Sequence, residues 1–383
     1  MKYSRLQLMI VAAACAVIVF AAGCSRAADN TNVANLAAAD LTREELIAAA
    51  QAEGRVVVYS VTSRIANAAE AFERRYGIRV EHSNLNDGAL VQKVSTEVGG
   101  RIAGADFVIS QDSGRVFGQL LATNYLVNYV PPSFRDVIPE QYQNPLVFQL
   151  NNKVFIFNSE KTQTPVISNV WETTEPQWRG LIQFKAPNSE GVNMNFLTML
   201  TSPEWSQKLA QAYQNHYGRP ITLTTPNAGY EWIKRFFDNG LVLGNSDTAM
   251  SENIGIKGQP QTTMGLFVYS KSRFEVTKDL ALMPMTEIEP FSGFIYPQFL
   301  HLTANAPHPH AAKLFIEFLL TEEGFEPWSR DVGSYSSNPN IAVNEGDHPV
   351  AFWESRLVPE DPAFIFENRA QVEEFVNNIA FGR

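Results

Sequence analysis

The chain has 383 residues, 45% hydrophobic and 18% charged, an ordinary globular composition long enough for two domains. Its formal net charge of -10 leaves no basic footprint for nucleic acid, and acidity of this size speaks for solubility rather than for a named partner.

The first stretch, MKYSRLQLMIVAAACAVIVFAAGC, carries Lys2 and Arg5, then an apolar run, then small residues up to Cys24. That order is the one of a secretory signal. The ending AAGC resembles a bacterial lipobox, with Ala21 where leucine is usual. Residues 1–23 are therefore expected to be a lipoprotein signal peptide and Cys24 the lipidated residue that holds the chain to the cell membrane, in the periplasm or at the cell surface. The competing reading is an uncleaved anchor, since Leu6 to Gly23 is long enough to span a bilayer. The only other cysteine, Cys15, lies inside the same stretch, so a cleaved chain has neither disulfide nor free thiol. Residues 24–40 are small and polar and read as a tether.

Thr42 and Glu45 form a capping-box signature for a first helix that Gly54 stops. RVVVYS is then a short buried strand. IANAAEAFERRYG places Ile65, Ala69, Phe72 and Tyr76 on one helical face and ends at Gly77. IRVEH and ADFVIS are further strands, separated by the helix GALVQKVSTEVGG, and SGRVFGQLLATNYL is a third helix. Strands alternating with helices predict a mostly parallel sheet covered on both faces. After the proline-rich VPPSFRDVIPEQYQNP, the strand NNKVFIFNSE leads into a second α/β set. That set includes a helix capped by Ser202 with Pro203 in its first turn, and the helix GYEWIKRFFDNG. FSGFIYPQFLHL reads as a strand, and HPHAAKLFIEFLLTEEG as one amphipathic helix with Ala312, Phe315, Phe318 and Leu319 inward.

The order of EGRVVVYSVTS, ADFVISQDSGRVFGQLLATNYLVNY, KVFIFNSEKT, WRGLIQFKAPNSEGV, FSGFIYPQFLHLTANAPHPHAAKLFIEFLLTEEGFEPW and GSYSSNPN resembles that of the periplasmic solute-binding proteins of ABC importers. The branch is the one that includes ferric-ion binders. The resemblance implies an α/β, two-lobe type II periplasmic-binding-protein fold with a central cleft. Lobe 1 is expected to comprise residues 41–150 and 282–325, and lobe 2 residues 151–281 and 326–383. It further implies capture of a small molecule or ion and its delivery to an ABC transporter permease, without catalysis and without a cofactor.

Ferric relatives hold the metal with two adjacent tyrosines, a carboxylate and often an imidazole. This sequence has no Tyr-Tyr pair. The matching stretch GLFVYSKSRF offers Tyr269 with Lys271 and Arg273, the carboxylate position falls on Gln111 with Asp112 beside it, and the first turn has Arg64 and no histidine. A site with those replacements repels a trivalent cation and favours an anion or a hydroxyl-rich solute. Ligands of such sheets gather at the carboxyl ends of the strands. The expected contacts are therefore Tyr59, Ser60, Thr62, Ser63 and Arg64 after the first strand and Ser110, Gln111 and Ser113 after the third. Asn188, Ser189 and Gly191 are expected to form a backbone nest, with Tyr269 stacking or bonding. The leading solute is an oxyanion such as a phosphorylated or phosphonate compound, and the alternative is ferric iron.

Plainer readings stand beside these. Ser63 taken alone reads first as the cap of the following helix. Gln111 and Asp112 can open the third helix, Lys271 and Arg273 can be a solvated face, and Tyr269 can be core. His301, His308 and His310 have no convergent third ligand, and no metal site is expected. Neither G-x-S-x-G, a phosphate-binding loop nor H-E-x-x-H occurs, so an enzyme is not expected. A surface lipoprotein acting as adhesin or sensor is the alternative of another class. Nothing in the sequence argues for an oligomer, and a monomer is expected.

Overall fold

The computed structural model describes residues 41–382. The expected signal, Cys24 and the tether lie outside the described residues.

The capping box forms as the sequence indicates. Helix α1 (Arg43–Glu53) begins with the Thr42 side chain on the Glu45 N–H and ends at Gly54 in the left-handed conformation, φ 71°. Strand β1 (Arg55–Ser60), helix α2 (Ile65–Tyr76), strand β2 (Arg79–Asn84), helix α3 (Asp87–Gly99) and strand β3 (Phe107–Ser110) follow in regular alternation. Strands β1, β2 and β3 are parallel. The helix expected from Ser113 to Leu126 is shorter and wider than the pattern suggests. It is a turn at Ser113–Arg115 running into a π-helical stretch, Val116–Leu121, followed by strand β4 (Leu126–Asn128).

Two long strands carry the chain between lobes. Strand β5 (Val147–Asn158) places Phe148 in the first apolar core and Phe155 and Phe157 in the second. The second lobe then adds β6 (Ile182–Lys185), helices α4 (Gly191–Leu200), α5 (Pro203–Tyr217) and α6 (Ala228–Asp238), strand β7 (Val242–Gly244), helix α7 (Asp247–Gly255), and strands β8 (Met264–Val268) and β9 (Leu282–Pro284). Strand β10 (Gly293–Thr303) returns antiparallel to β5, with Phe294 and Tyr296 in the second core and Leu300 and Leu302 in the first. The order β2-β1-β3-β10-β5-β8-β6-β7 is thus one curled sheet, parallel at each end and antiparallel in the middle. The expectation of a mostly parallel sheet fails only at the crossing, because a strand that returns through the same hinge must run against its partner.

This crossing corrects the expected lobe boundaries. The chain does not return at residue 282: Met285, Ile288 and Phe291 still pack in the second core. Nor does it leave the first lobe at residue 326, since Trp328 packs in the first core.

The first core centres on Phe72, whose ring stacks on Phe315 at 4.4 Å between centroids. The second centres on Trp171, Trp232, Phe291 and Phe294. Burying each such ring contributes about 1.5–3 kcal/mol. The single helix expected over residues 308–324 is two, α8 (Pro309–Leu319) and α9 (Glu322–Ser329). The Thr321 hydroxyl accepts the Gly324 N–H and restarts the helix after a two-residue break at Leu320 and Thr321. The short strands β11 (Ser334–Ser336) and β12 (Leu357–Val358) lie along β5 and β10. Helix α10 (Pro362–Phe381) packs on α4 and α6 and reaches the first-lobe turn at Ser113–Arg115.

Candidate ligand-binding cleft

Between the lobes the ends of the strands surround a cavity of about 390 Å³, within the range of small-molecule sites. The first-lobe wall is the turn Val61, Thr62, Ser63 and Arg64 after β1, with Asn84, Gln111 and Trp328. The crossing strands supply the floor through Gln149, Asn151, Tyr296 and Gln298. Opposite stand Lys185 at the end of β6, Glu190, residues 245–248 leading into α7, and Ser270, Lys271 and Arg273 after β8. A smaller recess of about 220 Å³ adjoins it, and Val61, Asn84, Gln111, Lys185 and Glu190 border both.

The charges fall into two groups. Lys153 is fully buried beneath the floor and bonds to Glu190, with Asp247 at 3.4 Å. Lys185 lies 2.9 Å from each of the same two carboxylates. The four side chains form a closed ring of alternating sign that neutralises itself. Although burial pulls the other way, the two lysines hold the Asp247 carboxyl below its usual range, and the two carboxylates hold Lys185 above its own.

The second group is not balanced. Arg64 pairs with Asp331 and also donates to the Pro327 carbonyl, while Arg273 reaches the same Asp331 at 3.3 Å. Lys271 donates to the Thr248 hydroxyl at 2.9 Å and has no carboxylate partner among the described residues. Its pKa is lowered to about 8, first by burial and then by the positive charges of Arg273, Arg64 and Lys185, against the pull of Asp247. Two arginines therefore share one carboxylate in this corner of the cleft, and Lys271 beside them pairs with none among the described residues.

Of the expected contacts, Thr62, Ser63, Arg64 and Gln111 meet in the cavity, and Ser189 borders the recess. Ser63 does not serve as a cap, since α2 begins without a side-chain cap bond. Lys271 and Arg273 face the cavity rather than forming a solvated surface.

The other expected contacts are corrected. Tyr59 points to the opposite face of β1, where its hydroxyl donates to Glu97 at 3.1 Å under α3. Ser60 is buried and shapes the turn: its hydroxyl donates to the Thr62 carbonyl and accepts the Thr62 N–H. Ser110 is buried in the sheet away from the cavity. Ser113 donates to Glu360 at 2.6 Å. Asn188 donates to Asn377 on α10 at 2.7 Å. The Gly191 N–H already donates to Asp87 from the first lobe, at 2.7 Å, so the expected nest holds a carboxylate of the chain itself. Tyr269 is buried against Trp353, with ring centroids 5.4 Å apart. Asp112 accepts the Arg115 N–H and pairs with Arg369 of α10.

The sequence reading missed Lys153, Lys185, Glu190 and Asp247. The legible signal was Lys153, a charge inside the apolar strand VFQLNNKVFIFN, which must find a partner when buried. Among the described residues no three His, Cys, Asp or Glu side chains are grouped to hold a metal ion, and no helix is long and apolar enough to cross a membrane.

The profile of the bacterial extracellular solute-binding protein family matches residues 67–356. The chain belongs to this family. Solute-binding proteins of solved structure share its two-lobe fold at low identity. Iron-bound HitA from Pseudomonas aeruginosa aligns with a TM-score of 0.67 at 15% identity, over 85% of this chain and 99% of that one. AfuA from Actinobacillus pleuropneumoniae, with fructose-6-phosphate bound, gives 0.67 at 18% identity, over 86% and 99%. The Trichodesmium protein IdiA (FutA), in complex with iron and citrate, gives 0.60 at 16% identity, over 86% and 100%. No curated protein sequence matches the chain.

Proposed function

We propose that this solute-binding protein is lipid-anchored through Cys24, captures a small oxyanion-bearing solute of the phosphate-ester or phosphonate class, and delivers it to the permease of an ABC importer. The observation that carries this reading is Lys271, which sits in the cleft beside Arg64 and Arg273 without a carboxylate of its own. A desolvated, under-compensated positive corner is an anion site, since charge-assisted bonds from lysine and the planar arginine fork suit a phosphoryl group. The lobes close over the solute in the hinge manner.

Neighbours of equal structural similarity bind iron in one case and a sugar phosphate in another, so the fold does not select the cargo. The side chains favour the phosphate. The tyrosine expected near an iron site, Tyr269, packs in an apolar cluster. Among the described residues the two carboxylates that line the main cavity, Glu190 and Asp247, are each already held by two lysines.

Calorimetric titration with a panel of phosphate monoesters and phosphonates tests the reading, with ferric citrate as comparator. The expected result is saturable binding of at least one phosphorus compound, weakened about tenfold or more by Lys271→Gln, as loss of a charged hydrogen bond implies. Binding of ferric citrate alone would overturn it.

A further inference from the structure

The recess beside the main cavity has a different chemistry from the basic corner. Asn84, Asn86, Asp87, Ser189 and Glu190 border it. Asp87, at the start of α3, is 4% exposed. One of its carboxylate oxygens, Oδ2, accepts the Gly191 N–H at 2.7 Å and the Gln111 amide at 3.4 Å. The other, Oδ1, is buried and has no partner among the described residues. A buried carboxylate oxygen without a donor is costly, and a donor arriving with the ligand removes that cost.

The surroundings decide which donor. Burial first, and then the negative charges of Asp112 and Glu190, raise the Asp87 pKa. Lys185, the cation on the recess wall, is committed to Glu190 and Asp247. A neutral hydroxyl would satisfy the bare oxygen but leave the excess negative charge, whereas an ammonium group satisfies both.

We propose that the recess is a second subsite that receives a cationic amino group, with Asp87 as its acceptor. Resting on the oxyanion reading of the main cavity, this makes the solute a zwitterion, a phosphoryl or phosphonyl group at one end and an amine at the other. Asp87 is then the residue that distinguishes an amine-bearing phosphate from its amine-free counterpart.

The test is calorimetry on the purified full-length chain with two matched pairs, O-phosphoethanolamine against ethyl phosphate and glucosamine 6-phosphate against glucose 6-phosphate. In at least one pair the amine-bearing member is expected to bind tenfold or more tighter. Asp87→Asn, which keeps an acceptor for the Gly191 N–H, should shrink that ratio to within twofold, with the larger loss on the amine-bearing member. Lys271→Gln should weaken both members alike. Equal binding within both pairs, with sensitivity to Lys271→Gln intact, overturns the amine subsite and leaves the oxyanion reading standing. A ratio that survives Asp87→Asn also overturns it. No binding by any of the four phosphates, or binding indifferent to Lys271→Gln, removes the oxyanion reading and this proposal with it. Should Asp87→Asn not fold, the wild-type ratios alone decide.

Discussion

Two places in this molecule gather charge out of water, and they are unbalanced in opposite senses. In the basic corner of the cleft, Arg64 and Arg273 share Asp331, and Lys271 bonds to the Thr248 hydroxyl with no carboxylate partner among the described residues. At the seam behind it, where the first lobe meets α4 and α10, the excess is negative. Asp87 sits on the N-terminus of α4, Asp112 on Arg369, and Glu360 on the Ser113 hydroxyl and the Asn195 amide. The corner opens to the cavity and can wait for a ligand's charge. Asp87 borders the recess, whereas the rest of the seam is closed and must satisfy itself, through Arg369 of α10 and a proton kept on Glu360. Even the backbone is fitted to this contact: a Cβ at Gly191 would lie 2.0 Å from the Asp112 carboxylate.

The severest way to break the seam is Arg369→Ala. Asp112, 1% exposed, would keep only the more distant Arg115, at 3.7 Å, and breaking a buried pair costs about 3–5 kcal/mol. Chemical denaturation should show a drop of that size, whereas a change under 1 kcal/mol would mean that α10 does not hold the lobes.

Acidity tests the seam next. Burial first, then the charges of Asp112 and Glu190, raise the Asp87 pKa to about 7, and burial with Asp112 raises that of Glu360 to about 8. The folded chain thus keeps protons that the unfolded chain releases near pH 4. As regards these groups, stability is greatest below about pH 4, falls as the pH rises towards 8, and is level beyond. Melting curves across that window should show the fall for the wild type and a shallower one for Asp87→Asn.

In the corner the titrating group is a cation. Lys271 titrates at about 8 in the free protein, and a bound anion raises that value. As regards Lys271, oxyanion affinity should be level below pH 8 and fall above it, by up to about tenfold per pH unit, with proton uptake on binding near and above that pH. Titration in two buffers of different ionisation enthalpy measures the uptake, and Lys271→Gln should abolish it. The smallest effect is expected from Tyr269→Phe. Its ring packs on Trp353 away from the cavity, so solute affinity should stay within twofold.

Local pattern made much of the fold legible. The capping box at Thr42, the apolar face from Ile65 to Tyr76 and the Ser202–Pro203 start of α5 are written in neighbouring residues and formed as read. The strand-end rule named Thr62, Ser63, Arg64 and Gln111, which line the cavity, while Lys271 and Arg273 entered only through the stretch that resembles the tyrosine pair of the ferric relatives. It could not say which way a side chain faces. Tyr59, next to the rim, belongs to the other side of the pleat, and Gly191, read as a free nest, is filled by Asp87 from 104 residues away. The ring of Lys153, Lys185, Glu190 and Asp247 and the strap of α10 are pairings over long separations that no local pattern encodes.

The most direct measurement is native mass spectrometry of the purified protein as it comes from the cell. An excess mass that contains phosphorus and no metal, lost from Lys271→Gln, is the predicted result. An excess mass of iron, alone or with a small anion, would contradict the account.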